Sequence, residues 1–460
     1  MLPSNEASTA RRSRVDWFRE QLQRVQLIQH RGRVSRLAGH LLEAVGPPAK
    51  VGDLCHVHAG DGSIAGHAEV VGFHDGRNIL MPLQDFAGLA PGTLVTNTQR
   101  TFTFPVGEAL LGRVLDAYGR PLDRRGPLPH TQLMPVHNTP PHPVTRRHVR
   151  SPLVTGIRSL DAMLTCGKGQ RLGIFAGSGV GKSVLMGMIA RKTRAQVSVI
   201  ALIGERGREV REFLDHELGA EGLRRSVVIA ATSDQPAMAR IKAALGATTI
   251  AEYFRDRGMD VLLLMDSLTR VAMAQREIGL AAGEPPTTRG YTPSCFTFLP
   301  KLLERAGNSE RGSITGLYTV LVEGDDLNDP IGDTARGLLD GHVVLSRRLS
   351  QRGHYPAVDV LASVSRVMPK VVSKQHYALA RRVQELMATY GESEDLILLG
   401  AYAPGTNPVL DQAIRKIGRI NEFLRQEVDE VTPFEEIESR LHQLLANEGE
   451  AAAAPGANAA

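Results

Sequence analysis

The sequence predicts an α/β core, a mostly parallel sheet with helices on both faces, joined to a small N-terminal β-barrel and a C-terminal helical domain. Three patterns predict it. Between residues 171 and 322, continuous apolar runs (RLGIFAG, VSVIALIG, SVVIAAT, VLLLMDS, SITGLYTVLV) alternate with helical periodicity, which marks parallel strands covered on both faces. From 33 to 98, short β-rich runs (RVSRLAG, CHVHAG, AEVVGFH, NILMPLQ, GTLVTNT) are punctuated by glycines and spaced as in a small barrel. From about 372 to 445 the periodicity is helical throughout (HYALARRVQELMATY, LDQAIRKIGRINEFLRQ, FEEIESRLHQLL).

With 460 residues, 42% of them hydrophobic and 22% charged, the chain supports several cores. Residues 1–30 form a basic arm with amphipathic spacing, Phe18, Leu22 and Val25 on one helical face near Trp17, Leu27 and Ile28. Residues 1–36 hold eight arginines against three acidic residues, whereas the remaining 424 hold 46 basic and 46 acidic groups. The charge surplus therefore sits on the arm, as a solvated tail or as a contact for anionic lipid, nucleic acid or an acidic partner. Residues 31–100 are the barrel domain and 101–375 the α/β core. Within that core, six prolines between 127 and 143 mark a connector running to about residue 156. Residues 376–446 form the helical domain, and 447–460, without a branched apolar or aromatic side chain, a disordered tail. No run approaches 18 apolar residues, and no apolar segment follows the N-terminal charges, so a cytoplasmic location is expected. Cys55, Cys166 and Cys295 lie far apart, which argues against a disulfide framework or a thiolate metal site.

The stretch IFAGSGVGKSVL carries the first chemical signal. A phosphate-binding loop of the form G-x-x-x-x-G-K-[ST] joins a strand to a helix, so that backbone N–H groups and the helix N-terminus hold polyphosphate. Ala176 stands where the first glycine is usual, and Gly177, Ser178, Gly179, Val180, Gly181, Lys182, Ser183 and Val184 follow. Lys182 is placed to reach the β- and γ-phosphates of ATP, and the Ser183 hydroxyl to ligate Mg²⁺. Asp266, closing VLLLMDS some 80 residues on, sits where a carboxylate can hold Mg²⁺ through its water shell. Hydrolysis needs more: a group to orient water and a cation on the transferring phosphoryl. Glu205, followed by Arg206 in GERGREV, offers the first, or is an ordinary charged helix start.

VGEALLGRVLDAYGRPLD, AGSGVGKS, GERGREV, MDSLTRVAMAQREIGLAAGEPPTTRGYTPSCFTFLPKLLERAG, GDDLNDPIGD and RGHYPAVDVLASVSRV together resemble the ATPases of flagellar and virulence type III protein export, relatives of the catalytic subunits of rotary ATP synthases. The resemblance runs from about residue 20 to 445, and Ala176 is usual in this branch; Cys295 and Thr297 stand where it more often has Val and Ala. It implies a P-loop ATPase assembled as a homo-hexamer with nucleotide at each interface. It also implies that Lys182 and Ser183 bind phosphate and Mg²⁺, Glu205 orients the attacking water and Arg206 supports that region. Asp266 becomes the Walker B acid, Arg270 lies near the γ-phosphate, Tyr355 stacks on adenine, and Arg366 is the arginine finger offered to the next subunit. Read without the resemblance, Tyr355 is equally a core residue beside Pro356, and Arg366 a surface or phosphate-remote arginine. The proline- and glycine-rich loop 283–293, with Thr288, Arg289 and Tyr291 expected to be exposed, faces the central channel in relatives, toward a stalk subunit or an exported chain; on its own it is an ordered loop.

Further implied partners are a dimeric regulator at the N-terminal arm, export-gate membrane proteins, export chaperones and, peripherally, anionic lipid of the inner membrane. LILLGAYAPGTNPVLDQAI leans toward the flagellar branch over the virulence one. A rotary ATPase catalytic subunit is disfavoured because residues 385–445 lack the acidic coupling stretch. The charge-balanced body, without a basic, aromatic-interleaved groove segment, argues against a hexameric RNA helicase, so no nucleic acid is expected. Glu205 argues against a non-catalytic ring subunit.

Overall fold

The structure, a computed structural model, describes residues 29–38, 41–86, 88–322 and 329–446. The amphipathic part of the arm, the predicted tail and residues 324–328 of GDDLNDPIGD lie outside the described residues. The chain divides into two units, Met1–Thr101 and Phe102–Ala460.

In the first unit, β1 (His30–Ala38), β2 (Leu41–Val45), β3 (Asp53–His58), β4 (Ile64–His74), β5 (Arg77–Pro82) and β6 (Leu94–Thr101) close into a barrel in the order β1-β2-β5-β4-β3-β6. A six-stranded barrel has a narrow interior, and small or β-branched residues fill it: Val34, Ala44, Cys55, Val57, Ala68, Val70 and Val95, with Leu42 and Leu80. The sequence pattern missed β2, since LLEAV alternates too briefly to be told from a helical fragment.

In the second unit, β7 (Thr103–Val106) pairs with β9 (Gln132–Pro135), so the proline-rich segment read as a connector carries a strand. β8 (Val114–Asp116) joins the edge of the main sheet. That sheet is completed by β10 (Arg171–Ala176), β11 (Val197–Ile203), β12 (Ser226–Ala231), β13 (Asp260–Asp266), β14 (Gly307–Asn308), β15 (Ser313–Leu321), β16 (Gly341–Leu345) and β17 (Val358–Ser365). Its order is β17-β16-β10-β15-β13-β11-β12-β8, with β14 beside β15. The strands run parallel except β14 and β17, as the continuous apolar runs predict: every residue of β11 and β12 is buried.

The helices flanking or following the sheet include α1 (Arg158–Met163), α2 (Lys182–Lys192), α3 (Gly207–Glu212), α4 (Ala237–Asp256), α5 (Leu268–Ala281), α6 (Pro293–Leu303) and α7 (Pro330–Leu338). The C-terminal helices are α8 (Lys374–Leu398), α9 (Pro408–Leu424) and α10 (Phe434–Leu445). Ser373 caps α8 through the His376 N–H, and Asn407, ahead of Pro408, caps α9 through Val409 and Leu410, which fixes where each periodic run begins. Val383, Leu386, Ala413, Ile420, Ile437 and Leu441 share one core with Ile157, Leu160 and α2, so the helical domain is continuous with the sheet. Polar contacts add to this seam: Lys192 Nζ, at the end of α2, donates to the Glu430 carbonyl, and Arg194 pairs with Glu435.

Candidate functional site

The phosphate loop is built by what precedes and follows it. β10 runs buried to Ala176, and the chain then turns through Gly179 (φ 78°) and Gly181 (φ 90°) before α2 starts at Lys182. Left-handed backbone is accessible there because glycine lacks a Cβ. No side chain caps α2, so its first N–H groups are left for another acceptor, and polyphosphate is the acceptor such an end favours. Gly177, Ser178, Gly179, Gly181, Lys182, Ser183 and Val184 line a cavity of about 940 Å³. The Val180 side chain instead points into the core, at 1% exposure, leaving only its backbone for the loop.

Strand pairing brings the distant carboxylates to this loop. β11 and β13 are neighbours, and Asp266 ends β13 while Glu205 follows β11. Lys182 Nζ lies 2.5 Å from Asp266 Oδ1 and 3.3 Å from Glu205 Oε1. Thr319 Oγ1, on the adjacent β15, donates to the same Asp266 oxygen at 2.6 Å. Burial works against the charge on Lys182, but Asp266 and Glu205 outweigh it and hold its pKa above the ordinary lysine value. Glu205 goes the other way: burial pushes its carboxyl up to about 7, against the pull of Lys182, with Asp266 and a hydrogen bond to Glu209 adding to the rise. Glu209 moves down correspondingly, chiefly through its hydrogen bond from Glu205.

This gives a thermodynamic expectation. Folded Glu205 binds its proton up to about pH 7, whereas in the unfolded chain it ionises near 4.5, so its contribution to stability is lost as pH rises through that window. Glu205→Gln should therefore melt higher than the wild type at pH 8, by roughly 2–4 °C once solvent screening is allowed for, with the gain closing toward pH 5. Thermal denaturation across that range tests this; a pH-independent difference would count against it.

Arginines occupy much of the remaining wall. Arg270 packs its stem where a Cβ on Gly204 would come within 2.8 Å, and its buried Nε has no hydrogen-bond partner among the described residues. Arg206 is exposed and sits 3.4 Å from Glu209. Arg276, Arg289 and Arg347 complete the lining with Asp329 and Tyr291. Lys182 and five arginines thus face Glu205, Glu209 and Asp329, and an orphaned arginine donor in such a cavity fits a polyanion. Ser183 in the same wall, with Asp266 and Glu205 close to Lys182, supplies the hard oxygen donors that Mg²⁺ takes.

Tyr355 and Arg366 stand outside this lining. The Tyr355 ring is 47% exposed and lies 3.5 Å from where a Cβ on Gly181 would sit; the buried residue is its neighbour Pro356, so the core-packing alternative for Tyr355 fails. Arg366 follows β17, the edge strand, and donates to the carbonyls of Leu339 and Arg336, both at 3.3 Å. Antiparallel register sets Ser365 opposite Gly341, while Leu345 at the other end of β16 adjoins Ala176. Arg366 is thus about 13 Å of strand rise from its own phosphate loop. Tyr291, expected to be exposed, is buried: its ring packs edge-on to Phe296 at 6.3 Å and under the Arg276 guanidinium at 5.7 Å, whereas Thr288 and Arg289 are exposed as expected. Sequence reasoning missed Glu209, Thr319, Arg276 and Arg347. Only Glu209 left a signal, four residues after Glu205 in a helix start.

This fold and cavity define a P-loop nucleotide-binding protein. The nucleotide-binding domain of the ATP synthase alpha/beta family matches residues 156–365, and the C-terminal domain of the type III secretion ATPase EscN matches residues 372–443. The flagellum-specific ATP synthase of Bacillus subtilis is 54% identical over 420 residues, covering 91% of this chain and 95% of that protein. The type 3 secretion system ATPase of Sinorhizobium fredii is 52% identical over 406 residues, covering 88% and 90%. Among solved structures, the assembled ATPase EscN from the enteropathogenic E. coli type III secretion system superposes with a TM-score of 0.86 at 44% identity, over 90% of this chain and all of that one. EscN in complex with its central stalk EscO gives 0.83 at 43%, over the same shares. The chain belongs to the family of flagellar and type III secretion ATPases, which are ATP-hydrolysing enzymes.

Proposed function

We propose that the chain works as the ATPase of a flagellar export apparatus, hydrolysing MgATP at sites shared between neighbouring subunits of a homo-hexamer. The observation that carries this is Lys182 held against both Glu205 and Asp266 in an arginine-lined cavity at the end of the phosphate loop. The incoming triphosphate displaces the two carboxylates from Lys182 and takes their place, with the loop N–H groups and Arg270 on its oxygens. Ser183 and Asp266 hold Mg²⁺, which when bound neutralises charge developing on the phosphate oxygens. Glu205, as the carboxylate, orients the attacking water, with Arg206, paired to Glu209, beside it. Tyr355 stacks on the adenine, and Arg366 reaches the γ-phosphate of the neighbouring subunit.

EscN with its stalk EscO supports a stalk subunit as one partner, with loop 283–293 as a contact for it or for an exported chain. The regulator, export gate, chaperones and anionic lipid, and a cytoplasmic position at the inner membrane, belong to the same reading; no helix among the described residues is long and apolar enough to cross a membrane. The ATPase of a virulence type III secretion system is the second reading; the type 3 secretion system ATPase of Sinorhizobium fredii, 52% identical, is the observation that favours a secretion-system role. The test is ATPase rate per subunit against protein concentration, with and without RNA. A steep rise on assembly, indifferent to RNA, is expected; a rate flat with concentration would overturn the shared site, and RNA stimulation would revive a nucleic-acid motor.

A further inference from the structure

We propose that Ser350 and Gln426 are positioning residues that set the pose of the Tyr355 ring against the nucleotide base; this rests on Tyr355 being the aromatic on which adenine stacks. A half-exposed aromatic platform stacks well only when its ring is held in place, because each free rotamer dilutes the productive one. Tyr355 is held at both ends. Its phenol oxygen lies 2.9 Å from Ser350 Oγ, on the short helix Arg347–Gln351 that also places Arg347 in the cavity wall. Its carbonyl accepts a hydrogen bond from the backbone N–H of Gln426 at 2.9 Å.

Gln426, just past the end of α9, is 5% exposed, and its amide is fully engaged. Oε1 accepts from the Arg158 N–H at 2.7 Å, and Nε2 donates to the carbonyls of Gly156 at 2.9 Å and Glu430 at 2.8 Å. One acceptor and two donors are what a glutamine amide has to give, so the side chain fixes the short backbone segment whose N–H holds Tyr355. Gln426 does not line the cavity. It acts on nucleotide only through the tyrosine.

Glutamate at 426 keeps the oxygen facing Arg158 and turns the other end into an oxygen aimed at two carbonyls. Gln426→Glu should raise both Kd and KM for MgATP about ten-fold, and Ser350→Ala about three-fold, with kcat within about two-fold. Ser350→Thr, which retains the hydroxyl, should restore the wild-type KM. The affinity for inorganic tripolyphosphate with Mg²⁺, which has no base, should not move in any of them. Added to Tyr355→Ala, neither substitution should weaken ATP binding further.

The outcomes separate cleanly. Equal losses of ATP and tripolyphosphate affinity would mean that Gln426 supports the fold and not the ring. Unchanged ATP affinity in Ser350→Ala and Gln426→Glu, with a loss in Tyr355→Ala, would overturn the inference and leave the stacking role intact. Unchanged affinity in Tyr355→Ala would overturn the stacking role itself. Ser350 lies on an exposed short helix, so Ser350→Ala tests the pose even if a charge at 426 prevents folding.

Discussion

Arg366→Ala should lower the ATPase rate of the assembled protein by about 10³-fold or more, while MgATP binding to the single chain should stay near the wild-type value. An arginine finger is typically worth 10³–10⁵ in rate because it meets charge that develops only in the transition state. The register of β16 and β17 sets Arg366 a strand's length from its own phosphate loop, where its only described partners are the carbonyls of residues 336, 339 and 340. On the proposed reading its target is therefore the neighbouring subunit's nucleotide. Mixing makes the argument sharper: Arg366→Ala and Lys182→Ala subunits, each inactive alone, should regain activity in mixed assemblies, where some interfaces pair an intact Lys182 with an intact Arg366. Steady-state kinetics on the two pure variants and their mixtures decide it. Retention of the rate in Arg366→Ala, or no recovery on mixing, would return Arg366 to being a surface residue.

Glu205→Gln is the second large effect, a fall in kcat of about 10²–10⁴ with KM for MgATP little changed. The glutamine keeps the size of the side chain and its place beside Lys182 but lacks the carboxylate that orients water. The same substitution removes a carboxyl that burial holds up to about 7, so the slower variant should also be the more heat-resistant one above neutral pH. Single-turnover hydrolysis alongside melting curves measures both. A variant that keeps its rate would move the water-orienting role elsewhere, with Glu209, its hydrogen-bonded neighbour, first in line.

The fold was legible because its signals are continuous. Apolar runs such as VSVIALI and SVVIAA are long enough to require burial on both faces, and the caps at Ser373 and Asn407 begin the helices where the periodicity does. Short strands with weak alternation were not legible: LLEAV joined the barrel and QLMP the second unit because neighbouring strands supplied partners that a one-dimensional reading cannot see. The site divides in the same way. Lys182, Ser183, Glu205 and Asp266 are marked by residue type at fixed distances from strand ends. Thr319, Arg276 and Arg347 carry no such mark, since strand order and loop path alone bring them to the cavity. Tyr291 was misplaced because a loop rich in proline and glycine reads as exposed, yet Arg276 and Phe296 close over its aromatic ring.

One seam in the fold has a mechanical meaning. The helix that begins at the phosphate loop runs eleven residues without interruption to Lys192, and that terminal ammonium is tied to the main chain of residue 430, with Arg194 and Glu435 linked beside it. An α-helix of that length is a rod of about 16 Å, far stiffer along its axis than the loops at either end. The helix thus joins the residue that meets the phosphates to the base of the C-terminal helices in one continuous element, with no loop between them.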